Sequence, residues 1–231
     1  MTYEINLAEV DVDGAVREAA DTASGDTRLS FLKKAGLTTG GLVGGGAVLS
    51  ALAPSALAAS SNGRPPSSFG TGDVGILNYA LTLEYLEAAF YNGATAANLP
   101  LSAQAAAFLK IVTKDENEHV AFLKKALGRK AAKLPKFEFK GANTNAEMFM
   151  KTSQVLENTG VHAYLGQVLN IKSPAYVKAA GSILTIEARH ASVIGLLNSP
   201  TAESVEPNGS FDVPYTASKV LAAVKETGFI V

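Results

Sequence analysis

The chain has 231 residues and a mass of 23.9 kDa, is 47% hydrophobic and 18% charged, and its 20 basic and 21 acidic side chains leave a formal charge of −1. That length allows one or two domains with a real core, and the balanced charge argues against a nucleic-acid partner. Without Cys, disulfides, thiolate metal sites, Cys-ligated iron–sulfur clusters and cysteine nucleophiles are excluded, so any metal must rest on carboxylates and on the three His.

Residues 1–26 set seven acids against Arg17 alone and carry few large apolar side chains, so they read as an acidic disordered leader. Residues 27–59 have the three parts of a secretory signal. Arg28, Lys33 and Lys34 open it, a charge-free run from Ala35 follows, and Ala56-Leu57-Ala58 offers a small-residue cleavage site. The stretch Arg28-Leu29-Ser30-Phe31-Leu32-Lys33 resembles the twin-arginine export signal, with Leu29 where the second Arg belongs. That resemblance implies export. The alternative is a membrane anchor over residues 35–59, against which stand five Gly between Gly40 and Gly46 and the interruption at Pro54. Residues 60–72, rich in Gly, Pro and Ser, read as a linker.

Four long segments with helical periodicity follow, over about 73–92, 102–127, 144–170 and 173–197. Asp73 is the expected N-cap of the first and Asn92-Gly93 its stop; Ser102 and Gly128 bound the second, and Ser173-Pro174 opens the fourth. The long connection from Arg129 to Asn143, holding Pro135, Phe137 and Phe139, lies between the second and third helices. One long crossover among short connections is the layout of a four-helix bundle, so the expected fold is all-α, with the bundle over 73–197. A C-terminal tail over 198–231, with a short helix at 215–226, is expected to pack on it.

The chemistry is concentrated on these helices. Glu116 precedes His119 by three residues, and Glu187 precedes His190 by three. That spacing leaves the two side chains about 60° apart on one helix face, able to reach one ion. With Glu at roughly 6% of positions, two of three His acquire such a partner by accident on the order of 1% of the time. The other two helices each carry a Glu followed seven residues later by a Tyr, Glu84 with Tyr91 and Glu157 with Tyr164, which places each hydroxyl below its own carboxylate on one stripe. Glu84 to Glu157 is 73 residues and Glu116 to Glu187 is 71, so a two-helix unit occurs twice. Two such hairpins about a pseudo-twofold axis bring four carboxylates and two imidazoles to the bundle centre. Four buried carboxylates need cations, and of the basic residues only Arg189 is a candidate to face them; two divalent ions balance them instead. Oxygen donors with imidazole suit iron or manganese, with zinc chemically possible.

At these residues, and in the stretches Leu77–Tyr91 and Leu156–Gly166, the chain resembles the ferritin-like superfamily, and within it the exported ferritin-like or desiccation-related proteins. The resemblance covers about 73–197. It implies metal-ligand positions at Glu84, Glu116, His119, Glu157, Glu187 and His190; the sequence does not tell Glu116 from Glu157 as bridging or terminal. Glu87, one turn from Glu84, is a candidate alternate ligand or hydrogen-bonding neighbour, as are Tyr91 and Tyr164 for hydrogen bonding. His162 lacks the Glu three residues before it and reads as a packing residue, Tyr79 and Tyr85 likewise, and Glu118 as a solvent-facing charge. Gly160, inside a helix, points to close approach or to room beside the site. The functions in view are a di-iron or di-manganese oxidoreductase acting on oxygen or peroxide in stress protection, and a sequestering or desiccation-protection protein without sustained turnover. A storage cage, which needs an enclosed homo-oligomer, fits poorly with the leader, linker and tail.

Overall fold

The computed structural model describes residues 63–231; the leader, the signal segment and the first linker residues lie outside the described residues. The described part is all-helical, with five α-helices and no strands. Helix α1 spans Gly72–Ala97, α2 Ala103–Leu127, α3 Ala146–Gln167, α4 Pro174–Asn198 and α5 Ala217–Thr227. None of them is long and apolar enough to cross a membrane.

Local chemistry sets most of the boundaries. Ser102 caps α2 by accepting from Ala105 N at 3.2 Å, Asn145 caps α3 from Met148 N at 3.0 Å, and Pro174 occupies the first turn of α4. Two expected boundaries differ. Asp73 lies inside the first turn of α1, and its carboxylate instead accepts from Lys172 N and Ser173 N, each at 2.8 Å, so it fastens the start of α4 to α1. Helix α1 also runs past Asn92-Gly93 to Ala97 and closes at Asn98, whose φ of 48° is left-handed. Gly93 is a point of close approach: a Cβ there would collide with the Asn143 side chain of the crossover.

Helices α1 and α2 pack as one hairpin and α3 and α4 as another, and the hairpins meet through α1–α3 and α2–α4. The apolar core falls into two clusters. One gathers Phe90, Tyr91, Phe108, Phe149 and Ile194, with Phe90 and Phe149 stacked at 5.7 Å; the other gathers Leu77, Leu81, Leu123, Ile171 and Ile183. Glu84, Glu116 with His119, Glu157, and Glu187 with His190 lie along their helices between the named residues of the two clusters, Leu81 and Phe90 on α1, Phe108 and Leu123 on α2, and Ile183 and Ile194 on α4 among them.

The tail is tied down. Tyr215 N donates to His162 O at 3.1 Å, and α5 adds Ala217, Val220 and Val224 to the first cluster. Phe229 packs edge-on against Phe139 at 5.3 Å, and an isolated antiparallel bridge joins Phe137 to Ile230, so tail and crossover hold each other. Gly63 also engages the bundle, its carbonyl accepting from Gln167 Nε2 at 2.7 Å and from Ala217 N at 3.0 Å.

Candidate metal centre

Glu84 of α1, Glu116 of α2, Glu157 of α3 and Glu187 of α4 are each 0% exposed, and His119 and His190 are buried beside them. The six fall into two groups: Glu84, Glu116, His119 and Glu187 in one, and Glu116, Glu157, Glu187 and His190 in the other, each with donor atoms within 4.8 Å of one another. Glu116 and Glu187 belong to both. The carboxylates common to both groups are therefore those of the two Glu-x-x-His pairs, while Glu84 and Glu157 each belong to one group only.

Both imidazoles aim Nδ1 inward. His119 Nδ1 lies 3.2 Å from Glu84 Oε2 and from Glu116 Oε2 and 3.3 Å from Glu187 Oε1; His190 Nδ1 lies 3.1 Å from Glu157 Oε2 and 3.3 Å from Glu116 Oε1. Beyond these 3.3 Å approaches of an imidazole, Glu116 Oε1 and both Glu187 oxygens have no hydrogen-bond partner. Buried carboxylate oxygens without donors are costly, and Arg189 does not relieve them: it is exposed, with Nη1 donating to Thr185 O at 2.9 Å. The orphaned oxygens lie on the two shared carboxylates, where a pair of cations would meet both groups, and an oxygen-and-imidazole donor set suits hard or borderline divalent metals.

The two Tyr act crosswise. Sequence places each hydroxyl under the Glu of its own helix, but Tyr91 of α1 donates to Glu157 of α3 and Tyr164 of α3 donates to Glu84 of α1. Seven residues is about 10 Å along a helix, beyond a Tyr returning to its own stripe, whereas antiparallel packing of α1 on α3 brings each hydroxyl to the opposite carboxylate. Burial raises both hydroxyls well above the usual tyrosine range, and the adjoining carboxylates add to it, so they stay protonated donors.

Protonation reflects crowded charge. Burial, then the charge of Glu84, pushes Glu116 up to about 8, and burial with the charge of Glu116 raises Glu187 well above the ordinary range. Burial would raise Glu84 as well, but hydrogen bonding and charge from His119 hold it below its ordinary value. Glu87 is buried but outside both donor groups; burial and then repulsion from Glu187 and Glu116 raise its carboxyl strongly. Gly160 supplies room: a Cβ there would stand 2.6 Å from Glu187 Oε2 and 3.5 Å from Glu87 Oε1.

One functional neighbour escaped the sequence. His190 Nε2 donates to Asp115 Oδ2 at 3.2 Å, which leaves Nδ1 free to act as a donor to metal. Asp115 sits beside Glu116 in α2, 75 residues from His190, and no spacing rule connects them. The remaining residues pack or face solvent. His162 is buried, Nδ1 donating to Val213 O at 2.6 Å and its ring stacking on Tyr215 at 4.1 Å; Tyr85 donates weakly to Ala132 O at 3.4 Å; Glu118 is exposed and pairs with Lys114 at 3.0 Å.

A family model described as "Ferritin-like domain" matches residues 72–199. The chain belongs to this ferritin-like family. The matched span covers α1–α4 with every residue of both donor groups, so family, fold and Glu/His cluster coincide in one part of the chain. No curated protein matches the sequence.

Proposed function

We propose that this ferritin-like chain is an exported dinuclear iron or manganese protein, redox-active toward oxygen or peroxide in stress protection. The observation that carries the metal reading is the interlocking of two donor groups through Glu116 and Glu187, of which Glu116 Oε1 and both Glu187 oxygens lack a hydrogen-bond partner. Glu84, His119 and the shared carboxylates would hold one ion, and Glu157, His190 and the same carboxylates the other. Such a pair would supply Lewis acidity and electrons for an oxidant.

The protein's own side chains support that chemistry. The Tyr91 and Tyr164 hydroxyls orient Glu157 and Glu84, Asp115 fixes the His190 tautomer, and Gly160 leaves the Glu187 carboxylate space to shift. The apolar clusters on either side exclude water. Export rests on the signal-like segment before Ala59 and is tested by the mass of the mature N-terminus: a start after Ala58 or Ala59 supports it, and an intact Met1 in the cytosol overturns it.

The test of the centre is metal quantitation on full-length protein purified under reducing, chelator-free conditions, beside the Glu116→Ala/Glu187→Ala variant. About two iron or manganese per chain, lost in the variant, is the expected result; a metal-free wild type of equal stability overturns the reading. Addition of ferrous iron with oxygen or peroxide then separates turnover, seen as continuing consumption, from sequestration, seen as a single stoichiometric oxidation.

A further inference from the structure

Carboxylates with no exposure leave open how an oxidant reaches them. One helical turn from the cluster lies a cavity of about 30 Å³, lined by all four helices of the bundle. Ala80 lines it four residues before Glu84, Leu123 four residues after His119, and Ile183 four residues before Glu187. From α3 comes Tyr164, whose hydroxyl donates to Glu84, so one wall of the cavity touches the candidate centre directly. Towards solvent it is bordered by Phe122, 43% exposed, on α2 and by half-buried Tyr176 on α4.

The walls decide what can sit there. A water needs about 10–15 Å³ counted the same way, and two to four polar partners, while a benzene-sized ligand occupies a cavity of about 150 Å³. The space therefore suits two or three heavy atoms. Of the polar side chains on the walls, Tyr164 is spent on Glu84 and Gln167 on Gly63 O through Nε2 and on Asn170 Nδ2 through Oε1, while Tyr176 lies at the solvent edge. Tyr79, 1% exposed and part of the lining, carries the one buried hydroxyl there without a partner. A single hydroxyl does not hold a water cluster, but it can donate to a weak acceptor.

We propose that this cavity is the holding site from which dioxygen, an uncharged diatomic molecule, enters the carboxylate centre, and that it discriminates against hydrogen peroxide. Peroxide would bring two O–H groups into buried walls whose one unpartnered acceptor is the Tyr79 hydroxyl, so its desolvation would be met only in part. Its approach is the polar side, where the Asp115 side chain is 23% exposed beside His190. The proposal rests on the reading of the centre as a redox metal site and narrows its oxidant to one class.

Xenon, an apolar atom that enters such cavities, is the probe. Ala180 of α4 also lines the cavity. Crystals of the full chain under xenon pressure are expected to show one atom against Ala80, Tyr164 and Ile183 in the wild type and in Tyr79→Phe, and none in Ala180→Leu, whose longer side chain fills the space. If Ala180→Leu fails to fold, Ala180→Val takes its place. In iron-loaded protein the filling variant is expected to slow oxidation by dioxygen at least fivefold more than oxidation by hydrogen peroxide. Absence of xenon from the wild-type cavity, or equal effects on the two oxidants, overturns the proposal. A protein that holds xenon but binds no iron overturns the metal reading and the oxidant route with it, whereas an iron-loaded protein without xenon overturns the cavity proposal alone.

Discussion

Asp115 and Gly160 act on the centre without belonging to either donor group. Asp115 holds the outer nitrogen of His190, the kind of support whose loss lowers metal affinity about 10–100-fold. Asp115→Asn is expected to weaken binding by that factor, read by competition titration, with the thermal midpoint of the metal-free protein nearly unchanged. An unchanged affinity would remove Asp115 from the site. At Gly160 the methyl of an Ala would meet Glu187 Oε2, the carboxylate shared by both groups. Overpacking of this kind costs about 1–3 kcal/mol, offset in part by the better helix propensity of Ala. Gly160→Ala is expected to lower metal occupancy more than stability, measured by metal content alongside denaturant unfolding.

Among the elements, the tail shows how docking is built from a missing side chain. A Cβ at Gly166 would strike the backbone oxygen of Tyr215. A backbone atom cannot rotate away, so the segment would lift, losing the bonds from Tyr215 N to His162 O and from Ala217 N to Gly63 O. Gly166→Ala is expected to destabilise the protein by about 1–3 kcal/mol and to speed proteolysis within residues 199–216, with α1–α4 keeping their helical signal. Cleavage at the wild-type rate would show that the contact does not hold the tail. The same logic explains why Gly93 fails as a helix stop: its missing side chain admits Asn143 of the crossover, a demand that arises only once the crossover is in place.

Across the whole molecule, the proposed metal would compete with protons for one buried acidic centre. In the metal-free protein Glu116 is pushed up to about 8 by burial; burial would lower His190, but the Glu116 and Glu157 carboxylates beside its Nδ1 outweigh this and push it up to about 11. Both folded-state values exceed those of the unfolded chain, near 4.5 and 6.5. The folded state therefore binds more protons between each pair of values, and stability falls as pH rises: for Glu116 from about 4.5 up through 8, for His190 from about 6.5 up through 11. Each group contributes at most about 1.4 kcal/mol per pH unit. The melting temperature of the metal-free protein is expected to drop between pH 6 and 8, and metal, which replaces those protons, to raise it most at the upper end. A melting temperature that rises with pH in the metal-free protein would contradict this account. Four of the 20 basic and seven of the 21 acidic side chains fall in residues 1–58, so the remaining chain carries a net charge of +2 by its formal count.

The helices, their order and the six Glu and His positions now found together were legible in the chain, because helical period and Glu-x-x-His spacing are properties of one segment at a time, and the repeat of 73 and 71 residues links the two halves. Helix packing was needed to reveal which carboxylates both groups share, that Tyr91 serves Glu157 and Tyr164 serves Glu84, that Asp115 supports His190, and that Asp73 fastens α4. Each of these contacts joins residues far apart in the chain, and its geometry comes from how one helix packs against another, a quantity that no local pattern of residues encodes.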